Sequence, residues 1–299
     1  MTGLEKLPMM AKLEKLLEHA DVVLTRLEAV LPTAQGIAPI DWNTPSAAYR
    51  WRRKNGVGTL KAIAHISPVA MTDLFFLDRQ KALLEQNTQQ FIEGKPANNV
   101  LMTGARGTGK SSLVRACLNR FADQGLRLIE VDKNDLMDLD DISDLVASRP
   151  EKFILYCDDL SFDEGDDSYK TLKAALDGSL SAQPDNVLIY ATSNRRHLLA
   201  EKQSDNTGYH LDENGDLHPG ETSDEKISLS DRFGLWLSFY SYSQDEYLAI
   251  CNHWLKSLGC SDALIEQSRT DALQWALQRG SRTGRTAYQF ARDYAGRHL

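Results

Sequence analysis

The chain has 299 residues, 42% hydrophobic and 25% charged, which is ordinary for a globular protein and leaves room for one full core with helical additions. The formal net charge of −8 is concentrated: residues 132–148 hold six acids and one base, and residues 201–226 eight acids and two bases. The remainder carries a small positive excess, so bulk charge excludes no nucleic-acid partner. The longest apolar runs are too short to span a bilayer, the first twenty residues lack the apolar centre of a secretion signal, and the four cysteines form no C-x-x-C pair. These features predict a cytoplasmic protein with reduced cysteines and no membrane partner.

In chain order, residues 1–75 are expected to form a mainly helical N-terminal region. Leu13, Leu16, Leu17, Ala20, Leu24, Leu27 and Leu31 repeat as one helical face, and Pro32 ends it. Further on, "YRWRRKNG" (49–56) surrounds a tryptophan with arginines. Such a cluster can grip phosphate and stack on bases, or it can be a solvated, ion-paired face. Residues 76–243 alternate apolar runs with helical patterns. The runs are "NNVLMTG" (98–104), "LRLIEV" (126–131), "KFILYCDD" (152–159), "NVLIYATS" (186–193) and "LWLSFY" (235–240). Several are unbroken, as in strands covered on both faces, which predicts an α/β fold with a mainly parallel sheet between helices. The polar, acidic stretch 195–227, with a hairpin-like "ENGD", is expected to be a mobile excursion. Residues 244–299 read as helices only, with Ser243 and Asp245 as candidate N-caps and Gly259 and Gly280 as candidate stops.

The chemistry begins at "GARGTGKS" (104–111), which fits G-x-x-x-x-G-K-[ST]. A predicted strand leads in, and "SSLVRACLNRFA" leads out as a helix. Small residues let successive backbone N–H groups face phosphate oxygens, and the helix N-terminus adds its positive end. The residues expected to bind nucleotide are Gly104, Ala105, Arg106, Gly107, Thr108, Gly109, Lys110, Ser111 and Ser112. Lys110 is expected at the β/γ-phosphates and the Ser111 hydroxyl at Mg²⁺. A phosphate loop also needs an acid on a neighbouring strand to hold the metal. "FILYCDD" supplies Asp158 for that role, and Asp159 to orient or deprotonate the attacking water. The run "NVLIYATSN" ends in Asn194, whose amide is suited to holding that water against the γ-phosphate.

The order of these motifs, followed by "SDRFG" (230–234) and a helical tail containing "GSRTGRTA", resembles the AAA+ ATPases. More narrowly, the chain resembles an uncharacterised bacterial AAA+ family with "GARGTGKSSLVRA" and "CDDLSF" signatures. The resemblance covers about 76–299 firmly and the N-terminal zone weakly. It implies a P-loop NTPase three-layer sandwich with a sheet ordered 5-1-4-3-2, a core over 76–243 and a helical lid over 244–299. It implies that Asn194 is the sensor-1 residue. It implies that Arg232 is an arginine finger reaching the nucleotide of a neighbouring subunit, with Phe233 anchoring it; the other reading is a surface Arg232 paired with an acid. It implies a sensor-2 arginine in the lid, Arg285 or else Arg282. Many members of this class carry glutamate where Asp159 stands, and the shorter side chain favours weaker water activation.

The expected function is therefore ATP binding and hydrolysis with Mg²⁺ in a homo-oligomer, a ring or arc such as a hexamer, which remodels an unidentified protein or nucleic acid. The alternatives are a slow nucleotide-dependent binding switch and a small-molecule kinase.

Overall fold

The computed structural model describes residues 46–162, 167–177, 184–195 and 229–299, together with His19, Ala20, Gly36, Ile37, Ile40, Trp42, Leu198 and the backbone of 210–211 and 217–218. Its strands are β1 (Gly36–Ile37), β2 (Ala48–Lys54), β3 (Val57–Ala62), β4 (Val100–Gly104), β5 (Leu126–Glu130), β6 (Lys152–Cys157), β7 (Val187–Ser193), β8 (His210–Leu211), β9 (Leu217–His218) and β10 (Leu235–Phe239). The helices are α1 (Asp78–Ile92), α2 (Lys110–Phe121), α3 (Leu139–Val146), α4 (Asp167–Asp177), α5 (Gln244–Ser257), α6 (Asp262–Gln267), α7 (Arg269–Gln278) and α8 (Gly284–His298).

Among the described residues eight strands form one sheet, in the order β1-β3-β2-β5-β6-β7-β4-β10. The five strands expected from the apolar runs are β4, β5, β6, β7 and β10, and they lie in the expected order 5-1-4-3-2, all parallel. β7 is buried at every position, and β4 and β6 at all but one. Successive side chains serve opposite faces, so an unbroken apolar run is what two covered faces require. On one face Met102, Ile154 and Tyr190 pack with Leu113 and Cys117 of α2 and Leu84 of α1. On the other, Leu101, Leu155 and Ile189 pack with Ile142 of α3 and Leu172 of α4. Edge strand β10 alternates instead, burying Leu237 and Phe239 but not Trp236 and Ser238.

The end of β4 beside β10 takes only glycine. Gly104 ends β4 at φ +138°, and a Cβ built there lies 1.9 Å from the Phe239 carbonyl oxygen. No side chain fits without parting the strands. Gly104→Ala is expected to destabilise the fold by about 3 kcal/mol or more, from overpacking plus backbone strain. A denaturant midpoint unchanged from wild type would contradict this.

Within the zone 1–75, expected to be mainly helical, the described residues include a hairpin. Residues 48–62 form this β2–β3 hairpin, and β2 pairs in parallel with β5, extending the sheet. The turn is Asn55-Gly56, with φ +53° and +80°, the geometry that two-residue hairpins favour. The arginine cluster is part of this strand. Trp51 is fully buried and donates from Nε1 to Asp138 Oδ2 at 2.8 Å. Arg53 grips Asp138 and Asp141, and Arg50 grips Glu130. Trp51 is thus unable to stack on bases, and the ion-paired reading describes this segment. The helix expected over 13–31 lies outside the described residues except at His19 and Ala20.

The lid, α5–α8, has its own core around Tyr247, Cys251, Phe290 and Ala291. Ser243 caps α5 in a reciprocal box with Glu246, while Asp245 lies in the first turn. Gly259 and Gly280 take positive φ at helix ends. Of the acidic stretch, β8 and β9 pair antiparallel as the two arms of a hairpin; the expectation of mobility otherwise falls outside the described residues. Among the described residues no helix is long and apolar enough to cross a membrane.

Candidate nucleotide site

A cleft of about 760 Å³ opens between the carboxyl ends of the parallel strands and the lid. β4 delivers loop 105–109 into it, and α2 starts at Lys110, so the positive end of the helix faces the cleft. Thr108 Oγ1 closes the loop by donating to the Ala105 carbonyl at 2.8 Å. Gly107 takes φ +76°, and a Cβ there would come within 2.8 Å of Thr283 Oγ1. The lid therefore rests directly on the loop. Lys110 Nζ donates to the carbonyls of Gly104 (2.6 Å) and Ala105 (2.9 Å) and to Asn194 Oδ1 (3.0 Å). Burial pushes the Lys110 ammonium down to about 8, against the pull of Asp159 and Asp158.

β6 and β7 bring the acids alongside. Ser111 Oγ donates to Asp158 Oδ1 at 2.9 Å, and Thr192 Oγ1 donates to the same oxygen at 2.5 Å. Burial disfavours the Asp158 charge, but the hydrogen bonds from Thr192 and Ser111 help hold its carboxyl below the usual range. Ser111 and Asp158 are an adjacent pair of hard oxygen donors. That set suits Mg²⁺, which takes one or two protein oxygens and completes its shell with water and phosphate. Asp159 follows at φ +54°, in the left-handed region that aspartate tolerates better than most residues. Its N–H donates to Thr192 Oγ1 at 2.9 Å. Its Oδ1 accepts from Asn194 Nδ2, and its Oδ2 faces the Arg106 guanidinium at 3.3 Å.

The lid adds Arg285, whose backbone N–H donates to the Gly107 carbonyl at 3.4 Å and which lines the cleft; Arg282 is not among the lining residues. Arg232 is also not among them. Its Nε donates to Asp177 at the end of α4, and Phe233 beside it is buried. The geometry thus brings together Arg106, Lys110, Ser111, Asp158, Asp159, Asn194 and Arg285, and keeps Arg232 apart.

Three features went unread in the sequence. Thr192 ties Asp158 and Asp159 together, a role that no motif in "ATSN" signals. Tyr242 fastens the lid to the loop through its hydroxyl, which donates to the Thr108 carbonyl at 3.1 Å. Phe75, Trp254 and Tyr288 line the cleft, and His253 packs against both Phe75 and Trp254, with neighbouring ring centroids in this aromatic group 4.5–5.0 Å apart. Its members come from segments too distant in sequence to be associated by pattern.

Among solved structures the chain is similar to a lysine-to-arginine mutant of RuvB from Thermotoga maritima, at 16% identity and TM-score 0.49, over 76% of this chain and 64% of that one. It thus spans less than two thirds of the RuvB chain. It is also similar to a chain in the HORMA:CdnC:Trip13 complex of E. coli MS115-1, at 11% identity and TM-score 0.45, over 74% of this chain and 89% of that one. No curated protein matches the chain. A family model described as "Protein of unknown function (DUF815)" matches residues 44–298, nearly the whole length. The chain belongs to that family.

Proposed function

We propose that this protein binds MgATP in the cleft and hydrolyses it as an AAA+ ATPase. The observation that carries the reading is the single hydrogen-bonded constellation at the strand ends. Lys110 lies 3.0 Å from Asn194, and Ser111 lies 2.9 Å from Asp158, at the N-terminus of one helix. Among the described residues the cleft is lined by four cationic side chains (Arg106, Lys110, Arg115 and Arg285) against three acids (Asp73, Asp158 and Asp159). Added to the helix N-terminus, this balance favours a polyanion.

In this account the backbone of 105–109 cradles the β-phosphate, and Lys110 turns from its carbonyl partners to the terminal phosphates. Ser111 and Asp158 hold Mg²⁺, which when bound neutralises charge on the phosphate oxygens. Asn194 orients a water and Asp159 accepts its proton as the water oxygen bonds to the γ-phosphorus. The bond from that phosphorus to the bridging oxygen breaks, and ADP leaves with the electron pair. Arg285 reports the terminal phosphate to the lid. Arg232, absent from its own cleft, serves the cleft of a neighbouring subunit, so the active form is a homo-oligomer, a ring or arc. The coupled work is remodelling of a protein or nucleic acid. Transfer of the γ-phosphoryl group to a small acceptor is disfavoured by the acid pair, the strand-end Asn194 and the helical C-terminal region taken together.

The experiment is phosphate release from MgATP with no added acceptor, followed against protein concentration. Turnover per chain is expected to rise with concentration as subunits assemble. A rate per chain that stays flat across the concentrations over which sedimentation shows monomers assembling contradicts a site shared between subunits. A second reading, a slow binding switch, draws on one observation: both carboxylate oxygens of Asp159 are engaged, one by Asn194 and one by Arg106. Tight MgATP binding with negligible phosphate release at every concentration would select it.

A further inference from the structure

Arg106 occupies the third position of the phosphate loop, where its side chain is 75% exposed. It meets Asp159 Oδ2 through one guanidinium nitrogen at 3.3 Å, rather than as a two-bond fork. The pair is therefore long, single-pointed and solvent-screened, the kind that contributes least. Yet the acid it covers is the one placed to accept a proton from water, and the other oxygen of that acid already accepts from Asn194. Arg106, Lys110 and Arg285 all line the same cleft. Three cations thus converge on the position that a terminal phosphate would occupy.

Resting on the nucleotide reading above, we infer that Arg106 exchanges between two anions: Asp159 when no triphosphate is present, and the terminal phosphate of ATP when it is. The terminal phosphate carries more charge than a carboxylate shared with Asn194. Its three oxygens also match the planar guanidinium fork, which the present contact does not use. A triphosphate therefore draws Arg106 away and leaves Asp159 free to take a proton. A diphosphate supplies no such competitor, and the Arg106–Asp159 pair persists. The loop arginine then acts within its own chain as a gate, one that releases the base only when there is a γ-phosphate to cleave. The loop is also tied to the lid through Gly107 and Arg285, so the same exchange is felt by the helical domain.

The test is calorimetric titration of the full chain with MgADP and with magnesium β,γ-imido-ATP. It is run on the wild type, Arg106→Ala, Asp159→Asn and the double variant. Arg106 is exposed, so its removal does not threaten folding. The wild type is expected to prefer the triphosphate analogue, and Arg106→Ala to lose about tenfold or more of that preference. Asp159→Asn removes the competing anion and is expected to raise the preference. That gain should vanish in the double variant, because it acts through Arg106. A gain that persists without Arg106 would reveal simple repulsion between Asp159 and phosphate, and would overturn the exchange. So would an unchanged preference in Arg106→Ala, or an equal loss of both nucleotides. A wild type that binds neither nucleotide fails the nucleotide reading itself, which separates the two failures.

Discussion

Lys110→Ala is expected to weaken MgATP binding by about 100-fold or more and to abolish measurable turnover. The ammonium is the one cation rooted in the loop and buried beside it, bonded to the Gly104 and Ala105 carbonyls and to Asn194. Alanine removes the charge that meets the terminal phosphates and leaves carbonyl oxygens facing them. The depressed Lys110 adds a pH signature. With its value near 8 before nucleotide arrives, the side chain is mostly charged at pH 7 and mostly neutral at pH 9. Phosphate selects the charged form, so binding takes up a proton above pH 8. The dissociation constant should then rise towards tenfold per pH unit between 8 and 9, and stay nearly flat below 7. That rise should be missing in Lys110→Ala. Wild-type affinity in the alanine variant contradicts the phosphate-loop assignment.

Arg232→Ala is expected to leave MgATP affinity nearly intact and to lower turnover by about 10³-fold or more, the scale of arginine fingers in phosphoryl transfer. The residue stands outside the cleft of its own chain and beside buried Phe233, in a short turn where the N–H of Phe233 donates to the Ser230 carbonyl at 3.2 Å. Its bond to Asp177 is one it must leave, or reach past, to serve another subunit. Mixing Arg232→Ala with Lys110→Ala chains tests this directly. Mixed assemblies contain interfaces that pair an intact loop with an intact finger, so activity should return in part. Normal hydrolysis by assembled Arg232→Ala, or a mixture as inactive as its components, contradicts the assignment.

The parallel core was legible because its signals are local. β4, β6 and β7 each hold an unbroken apolar run, and the glycine-rich loop and acid pair stand where such strands end. The N-terminal hairpin was legible too, but its charges obscured it. In β2 the buried Tyr49 and Trp51 alternate with the exposed Arg50 and Arg52, and Asn-Gly follows directly. Alternation and turn together read as a hairpin, whereas the arginines taken alone read as a patch. What sequence does not carry is the relation between distant groups. Thr192 holds both acids only because β7 lies beside β6. Arg106 meets Asp159 only because the loop folds across the end of β6. The aromatic side of the cleft exists only once the lid has docked on residues 67–75, through contacts such as Phe75 with His253. Arg232 shows the same limit from the other side. Its own chain shows its partner Asp177, while the cleft it is expected to serve belongs to another copy.

The most direct measurement is a titration of the purified full chain with MgATP at pH 7, read by calorimetry and by tryptophan emission, to which Trp254 at the cleft wall contributes. Saturable binding of one nucleotide per chain, lost in Lys110→Ala, is the predicted result. No saturable signal up to millimolar MgATP, in either readout, would contradict the account at its root.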